Sequence, residues 1–253
     1  MISDVRKRTL CVRLRWFFFY LFGLMIIKII LLHIQFTHFS SFMKLSFFIF
    51  IMSFFLCACN GQSSFKLQTG DILFTGIEDH SLSSNLSQAI DGVTQTHLKT
   101  HFTHMGIVQI ENDTIYVIHA EPKKGVHREL IGDFLTGRGE ASVFRLQDEW
   151  IYSVDGAIDS ALSLLGLPYD YTYMIGGDAH YCSGFIYTIF EPAGVFQLEP
   201  MTFIDPETGD FHPVWVEHYK KMGIDIPEGA PGCNPNGMAA SPALFNVGTF
   251  SLN

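Results

Sequence analysis

From residue 105 to residue 128 the chain reads as strand, tight turn, strand, turn, strand, and nothing else in it constrains the fold as much. Apolar residues dominate 105–110 and 114–120, and Glu111-Asn112-Asp113 between them has the composition of a hairpin turn. A third strand is expected at 125–128. Connections this short force neighbouring strands to run antiparallel, because a parallel pair needs a crossover of a dozen or more residues. Two further strands are expected at 71–74, after the Thr69-Gly70 turn, and at 141–146.

Helical patterns surround these strands. Leu82, Leu86, Ala89, Ile90 and Val93 recur at helical spacing, with Ser81 or Ser84 as the cap. Residues 130–135 form a short helix closed by Thr136-Gly137. Ile151, Val154, Ile158, Ala161, Leu162 and Leu165 mark an amphipathic helix over 150–165, ended by Gly166 and Pro168. An aromatic loop, Tyr169-Asp170-Tyr171-Thr172-Tyr173, follows. The next helix begins at Cys182, carries Phe185, Ile186, Ile189 and Phe190, and stops at Glu191-Pro192. A last short helix is expected over 214–222. The tail from Pro227 is rich in Gly, Pro, Asn and Ala and is expected to wrap the surface. The fold class is α+β, an antiparallel sheet with helices beside it.

Charge separates the N-terminal fifth from the rest. Residues 1–59 hold seven Lys/Arg and one acid, Asp4. Of the chain's 16 basic and 25 acidic residues, 9 and 24 remain for 60–253, a net charge of −15. Such a surface repels nucleic acid, so no nucleic-acid partner is expected. Its 194 residues suit one domain with a sizeable core.

The N-terminal region reads as targeting. Residues 16–32 are apolar apart from Lys28 and have about the minimum length of a membrane span. Residues 45–58 follow Met43-Lys44 and have a secretory layout: basic start, short apolar core, small residues before a cut. Leu56-Cys57-Ala58 ahead of Cys59 resembles a bacterial lipobox. That resemblance implies cleavage before Cys59 and a lipid on its thiol; an ordinary signal peptide or an anchor helix is the alternative. The signal is complete from Met43, so residues 1–42 are read as lying upstream of the true start. The expected organisation is targeting over 1–59 with the signal at 43–58, a tether over 60–66, and one domain over 67–253. This places the body outside the cytoplasm, in the cell envelope, held to a membrane by lipid.

Export would leave Cys182 and Cys233 as the unlipidated thiols. A disulfide between them is one reading. The other is chemical. Cys182 starts a helix, where the N-terminal dipole favours a thiolate. His104, in Thr103-His104-Met105-Gly106, and His119, in Tyr116-Val117-Ile118-His119-Ala120, lie on expected strands. A nucleophilic cysteine needs an imidazole to take its proton. His97, His101 and His104 have a spacing that would suit a metal on a helix, but the β-branched threonines and the strand after them oppose a helix there. No metal and no cofactor are expected.

Gly70-Asp71-Ile72-Leu73-Phe74, Thr103-His104-Met105-Gly106, Leu167-Pro168-Tyr169-Asp170 and Tyr181-Cys182-Ser183 together resemble the YiiX/YebB-type proteins. These form a circularly permuted branch of the NlpC-type, papain-like cysteine hydrolases, in which the histidine precedes the cysteine. The resemblance implies a permuted papain-like fold, an antiparallel sheet or small barrel packed against helices. It implies Cys182 as nucleophile, His104 as base and His119 as the residue orienting His104. Relatives often carry glutamate at the His119 position, and Glu121, of the same strand parity, is an alternative orienting group. They also often carry glutamate where this chain has Gly184. Tyr169 and His180, with Glu121, are candidate substrate contacts. The implied activity is cleavage of an amide through a thioester on Cys182, in a peptide such as a cell-wall peptide or in a small molecule such as an acylated amino acid. Acyl transfer, thioester hydrolysis and binding without catalysis are the alternatives.

Overall fold

The hairpin closes as its composition requires. Strand β2 (Phe102–Glu111) and strand β3 (Thr114–Glu121) pair antiparallel, with Glu111 opposite Thr114. Asn112 and Asp113 alone form the loop, with φ of 49° and 60°. Two consecutive left-handed residues make the turn whose twist matches that of its strands, and Asn and Asp tolerate that conformation best after glycine. The computed structural model describes residues 65–76 and 85–252.

β2 and β3 lie within a six-stranded sheet of order β4-β3-β2-β1-β5-β8. The other strands are β1 (Ile72–Gly76), β4 (Gly125–Leu130), β5 (Glu140–Leu146) and β8 (Leu244–Ser251), and every pairing is antiparallel. Among the described residues β4 and β8 are the outermost strands and do not pair with each other, so the sheet is open there and not a closed barrel. A two-stranded ribbon joins β6 (Glu199–Pro200) to β7 (Pro231–Gly232). The helices are α1 (Asn85–Val93), α2 (Ile131–Leu135), α3 (Val154–Ser163), α4 (Cys182–Phe190), α5 (Pro213–Met222) and α6 (Pro235–Ala239).

Both faces of the sheet are covered, which is why its strands read as nearly continuous apolar runs. Ile72, Phe74, Met105, Ile107, Ile118 and Ala120 point to one face, where α3 and α4 pack through Ala157, Ala161, Phe185, Ile186 and Phe190. The alternate residues Leu73, Val108, Val117 and Val143 point to the other, covered by Phe134 and Leu135 of α2. Each large apolar side chain buried this way contributes roughly 1.5–3 kcal/mol. A third cluster joins Ala89 of α1 to Trp215 and Tyr219 of α5 through Tyr173, Tyr181 and Phe203.

Asp71, in the Gly-Asp-Ile-Leu-Phe segment, is fully buried at the start of β1. Arg145 of β5 grips it with Nε on Oδ1 at 2.7 Å and Nη2 on Oδ2 at 2.9 Å. The same guanidinium donates to the Lys66 carbonyl, and Phe65 packs on the second core, so residues 65 and 66 are joined to the body.

Two elements differ from the sequence reading. The helix expected over 150–165 opens as a 3-10 turn, Asp148–Ser153, before α3 begins. The tail does not simply wrap the surface. It buries Met238, Ala239, Ala243 and Leu244 and adds β8 as an edge strand. Its pattern is weak because an edge strand has little to bury, and Gly248 interrupts it at φ 147°. The expected signal, lipidation at Cys59 and caps at Ser81 or Ser84 lie outside the described residues. Among the described residues no helix is long and apolar enough to cross a membrane.

Candidate active site

Cys182 is the first residue of α4, and Tyr181 before it is extended, so the helix begins sharply at the thiol. Cys182 is 6% exposed and belongs to the core cluster of the α4 face. Its Sγ lies 3.9 Å from the Thr103 carbonyl, and the backbone N–H of Met105 faces it too. The thiol therefore rests on the backbone either side of His104. Burial pushes it up to about 11, although the N–H groups of Ser183, Met105 and Cys182 itself pull the other way. The helix terminus alone would favour a thiolate; desolvation outweighs it here, and the resting group is the neutral thiol.

The imidazoles lie on the opposite face. His104 Nε2 is 2.8 Å from His119 Nδ1, and the His104 ring stacks on Phe134 of α2. Gly106 makes room for this pair, since a Cβ there would sit 3.0 Å from His119 Cβ and 2.6 Å from Val117 Cγ1. His119 is fully buried. Its ionisation is depressed to about 2, first by burial and then by the charges of His127, Arg138 and Lys124. His104 is lowered well below its usual value by burial, then by His119, Arg138 and His127. Both rings are neutral at physiological pH. The expected His104–His119 bond is present, whereas no hydrogen bond joins Sγ to the His104 ring.

The residue on the far side of His119 is Glu129, which the sequence reading did not single out. Its Oε1 is 2.9 Å from His119 Nε2, and Lys124 Nζ donates to its Oε2 at 2.8 Å. Glu121 instead pairs with Arg138 at 3.1 Å and Lys124 at 3.5 Å, and does not contact His119. The signal for Glu129 was register. His119 faces His127 on β4, and Glu129 is two residues on, with the same parity.

Donor atoms of His119, Glu121 and His127 lie within 4.8 Å of one another, the one such group among the described residues that could hold a metal ion. Most of these donors are already committed. His119 spends both nitrogens on His104 and Glu129, and Lys124 and Arg138 neutralise Glu121. Only His127 Nε2 is shielded without a hydrogen bond. The set fits its own ion pairs better than a resident cation. The three-histidine spacing at 97, 101 and 104 forms no helical face, because β2 begins at Phe102.

A cavity of about 540 Å³ opens beside Cys182. Tyr169, Tyr173, Phe196, Met201 and Trp215 line it, and Glu199 is the one charged residue in its wall among the described residues. Thr103 and Ser183 border it near the thiol. Of the expected substrate contacts, Tyr169 is in this wall, whereas His180 and Glu121 are not. His180 pairs through its backbone with Tyr169, and its Nε2 is shielded and unbonded.

Cys233 also borders the cavity and is free, as is Cys182, so the disulfide reading does not hold. Its backbone N–H donates to Tyr181 Oη at 3.3 Å, and its carbonyl accepts from Ser183. Gly184 has a structural reason, since a Cβ there would lie 2.6 Å from the Tyr181 ring. A glutamate at 184 and this placement of Tyr181 exclude each other.

Comparison with known proteins agrees with this architecture. The crystal structure of the metalloprotein yiiX from Escherichia coli O157:H7 superposes with a TM-score of 0.57. It is 22% identical and covers 74% of this chain and 100% of its own, a likeness of fold. No curated protein matches. Residues 66–248, nearly the whole domain and both the thiol and the imidazoles, match the family described as permuted papain-like amidase enzymes, YaeF/YiiX, C92. By that match the chain belongs to the permuted papain-like amidase family.

Proposed function

We propose that this chain is a cysteine amidase in which Cys182 attacks the carbonyl of an amide whose acyl part is uncharged and apolar. The observation that carries this is the placement of the thiol: at a helix N-terminus, faced by backbone N–H groups, in the wall of an aromatic cavity. Among the described residues the wall holds no cation to partner a substrate carboxylate or phosphate, and an apolar acyl group is what its rings accommodate. An acylated amino acid suits it better than a multiply charged cell-wall peptide.

In this reading His104 Nδ1 takes the Cys182 proton as the carbonyl approaches, and the thiolate adds to the carbonyl carbon. Backbone N–H groups at the start of α4 hold the oxyanion. Collapse expels the amine, which carries away the proton from His104, and leaves a thioester that water hydrolyses. Catalytic hydrogen bonds are often open in the free enzyme and tighten with substrate. In this reading the thiol and the His104 ring, on opposite faces of β2 at rest, have to close in that way when substrate binds. The neighbour is described as a metalloprotein; here His119 and Glu121 are committed to their own partners, and no step uses a metal. The lipid on Cys59 holds the enzyme to a membrane outside the cytoplasm.

Purified 60–253 chain incubated with N-acyl amino acids and with cell-wall peptides tests the reading, with product masses as readout. Release of free fatty acid and amine, lost in Cys182→Ala and reduced about 10²-fold or more in His104→Ala, is expected. The resting thiol, held on the Thr103 carbonyl and not on an imidazole, favours one rival, a binding lipoprotein without turnover. Equal, slow alkylation of Cys182 and Cys233 with no product from either substrate would establish that rival.

A further inference from the structure

We propose that Glu129 is a positioning residue that sets the tautomer of His104 through His119; this rests on the reading of His104 as the base. The inference follows from donor and acceptor roles along one line of atoms. Glu129 Oε1 meets His119 Nε2 at 2.9 Å, and His119 Nδ1 meets His104 Nε2 at 2.8 Å. A carboxylate can only accept, and a neutral imidazole has one N–H and one lone pair. His119 must therefore carry its hydrogen on Nε2 and present a lone pair at Nδ1. His104 must then carry its hydrogen on Nε2. The nitrogen left with a lone pair is His104 Nδ1, the one free to receive the thiol proton.

The surroundings keep each member in its role. Lys124 Nζ holds the other oxygen of Glu129 at 2.8 Å, and His127 Nε2 lies 3.2 Å from that oxygen. Burial alone would raise the Glu129 carboxyl, but the Lys124 hydrogen bond and the nearby His127 charge bring it below its usual value. Arg138 and Lys124 also engage Glu121, which leaves Glu129 alone on His119. His119 is shielded from solvent, so water is not available to choose its tautomer. Without Glu129, His119 can reverse and donate from Nδ1. His104 then carries its hydrogen on Nδ1 and has no lone pair there. A misset imidazole tautomer in a serine triad costs about 10⁴ in turnover.

The test uses the full domain labelled with ¹⁵N-histidine and reads ring nitrogen shifts near neutral pH. Wild type is expected to show His104 and His119 both as the Nε2–H tautomer. Glu129→Leu, which keeps the volume and removes the acceptor, should move His104 to Nδ1–H or to a mixture and slow amide turnover about 10²-fold or more at unchanged KM. Glu129→Gln keeps a carbonyl acceptor and should restore the wild-type pattern, while Glu121→Gln should leave it untouched. His104 found as Nδ1–H in the wild type, or an unchanged pattern in Glu129→Leu, overturns the proposal. Should Glu129→Leu fail to fold, the wild-type shifts and Glu129→Gln still decide. A shifted tautomer with unaltered turnover would support Glu129 as the positioning group and instead defeat His104 as the base.

Discussion

On β2, Met105 and Ile107 turn to the face that holds Cys182, whereas His104 turns to the face that holds His119 and Phe134. The two faces are built from alternate residues of the same strands and carry opposite chemistry. One is apolar, opens into a cavity and keeps a thiol neutral. The other buries imidazoles, which two carboxylates, a lysine and an arginine hold in fixed roles. A desolvated, protonated thiol is a weak nucleophile, and the backbone of residues 103–105 separates it from the His104 ring. In the proposed mechanism, substrate binding has to bring the two together.

The largest effect expected from breaking this arrangement is on the thiol face. Cys182→Ala should reduce amide turnover by about 10³-fold or more and leave the melting temperature nearly unchanged, whereas Cys233→Ala should keep turnover. Activity surviving in Cys182→Ala would remove the nucleophile from the thiol face altogether. On the imidazole face, Phe134→Ala should cost about 3–5 kcal/mol in urea unfolding, because it empties a fully buried site under both rings. Arg145→Ala should cost on the order of 3 kcal/mol, since Asp71 would be left buried without its counter-charge, held only by the Gln68 N–H. A loss below about 1 kcal/mol would mean that Asp71 finds another partner.

pH should separate the faces most finely. His119 binds its proton near 6.5 in the unfolded chain and near 2 in the fold. Its contribution to stability is therefore complete above pH 6.5 and is lost as pH falls toward 2. Cys182 ionises near 9 unfolded and near 11 folded. Its contribution is complete below pH 9 and is lost as pH rises toward 11, by on the order of 3 kcal/mol. Thermal melts should show both limbs. His119→Asn should reduce only the acid limb, and in part, because His104 is held low as well; Cys182→Ser should reduce the alkaline limb in part, because burial holds Cys233 up too, at about 12. A single substitution that flattens both limbs would show the faces to be coupled at rest.

The hairpin, the Cys182 helix and the α+β class were legible because each rests on local chemistry. Asn112-Asp113 accepts left-handed backbone, and apolar periodicity marks α4. The His104–His119 bond was implied by resemblance, and the pairing of β2 with β3 supports it. Glu129 was not legible. It is an ordinary strand glutamate until the β3–β4 register sets it diagonally across from His119, and register depends on the whole sheet. Tyr181 against Gly184 was hidden for a similar reason. A missing Cβ in the sequence does not say which ring fills the space.

By itself, then, the sequence determined most of the strands, the helix that begins at the thiol, and Cys182, His104 and His119 as candidates for chemistry. These follow from backbone preference and from the periodicity of apolar side chains, which act over a few residues. Only the tertiary structure decided that the thiol and the imidazoles occupy opposite faces, that burial keeps the thiol protonated, and that Glu129 terminates the line of imidazoles. Those depend on strand alternation, register and desolvation, which arise when segments distant in sequence pack together and exclude water.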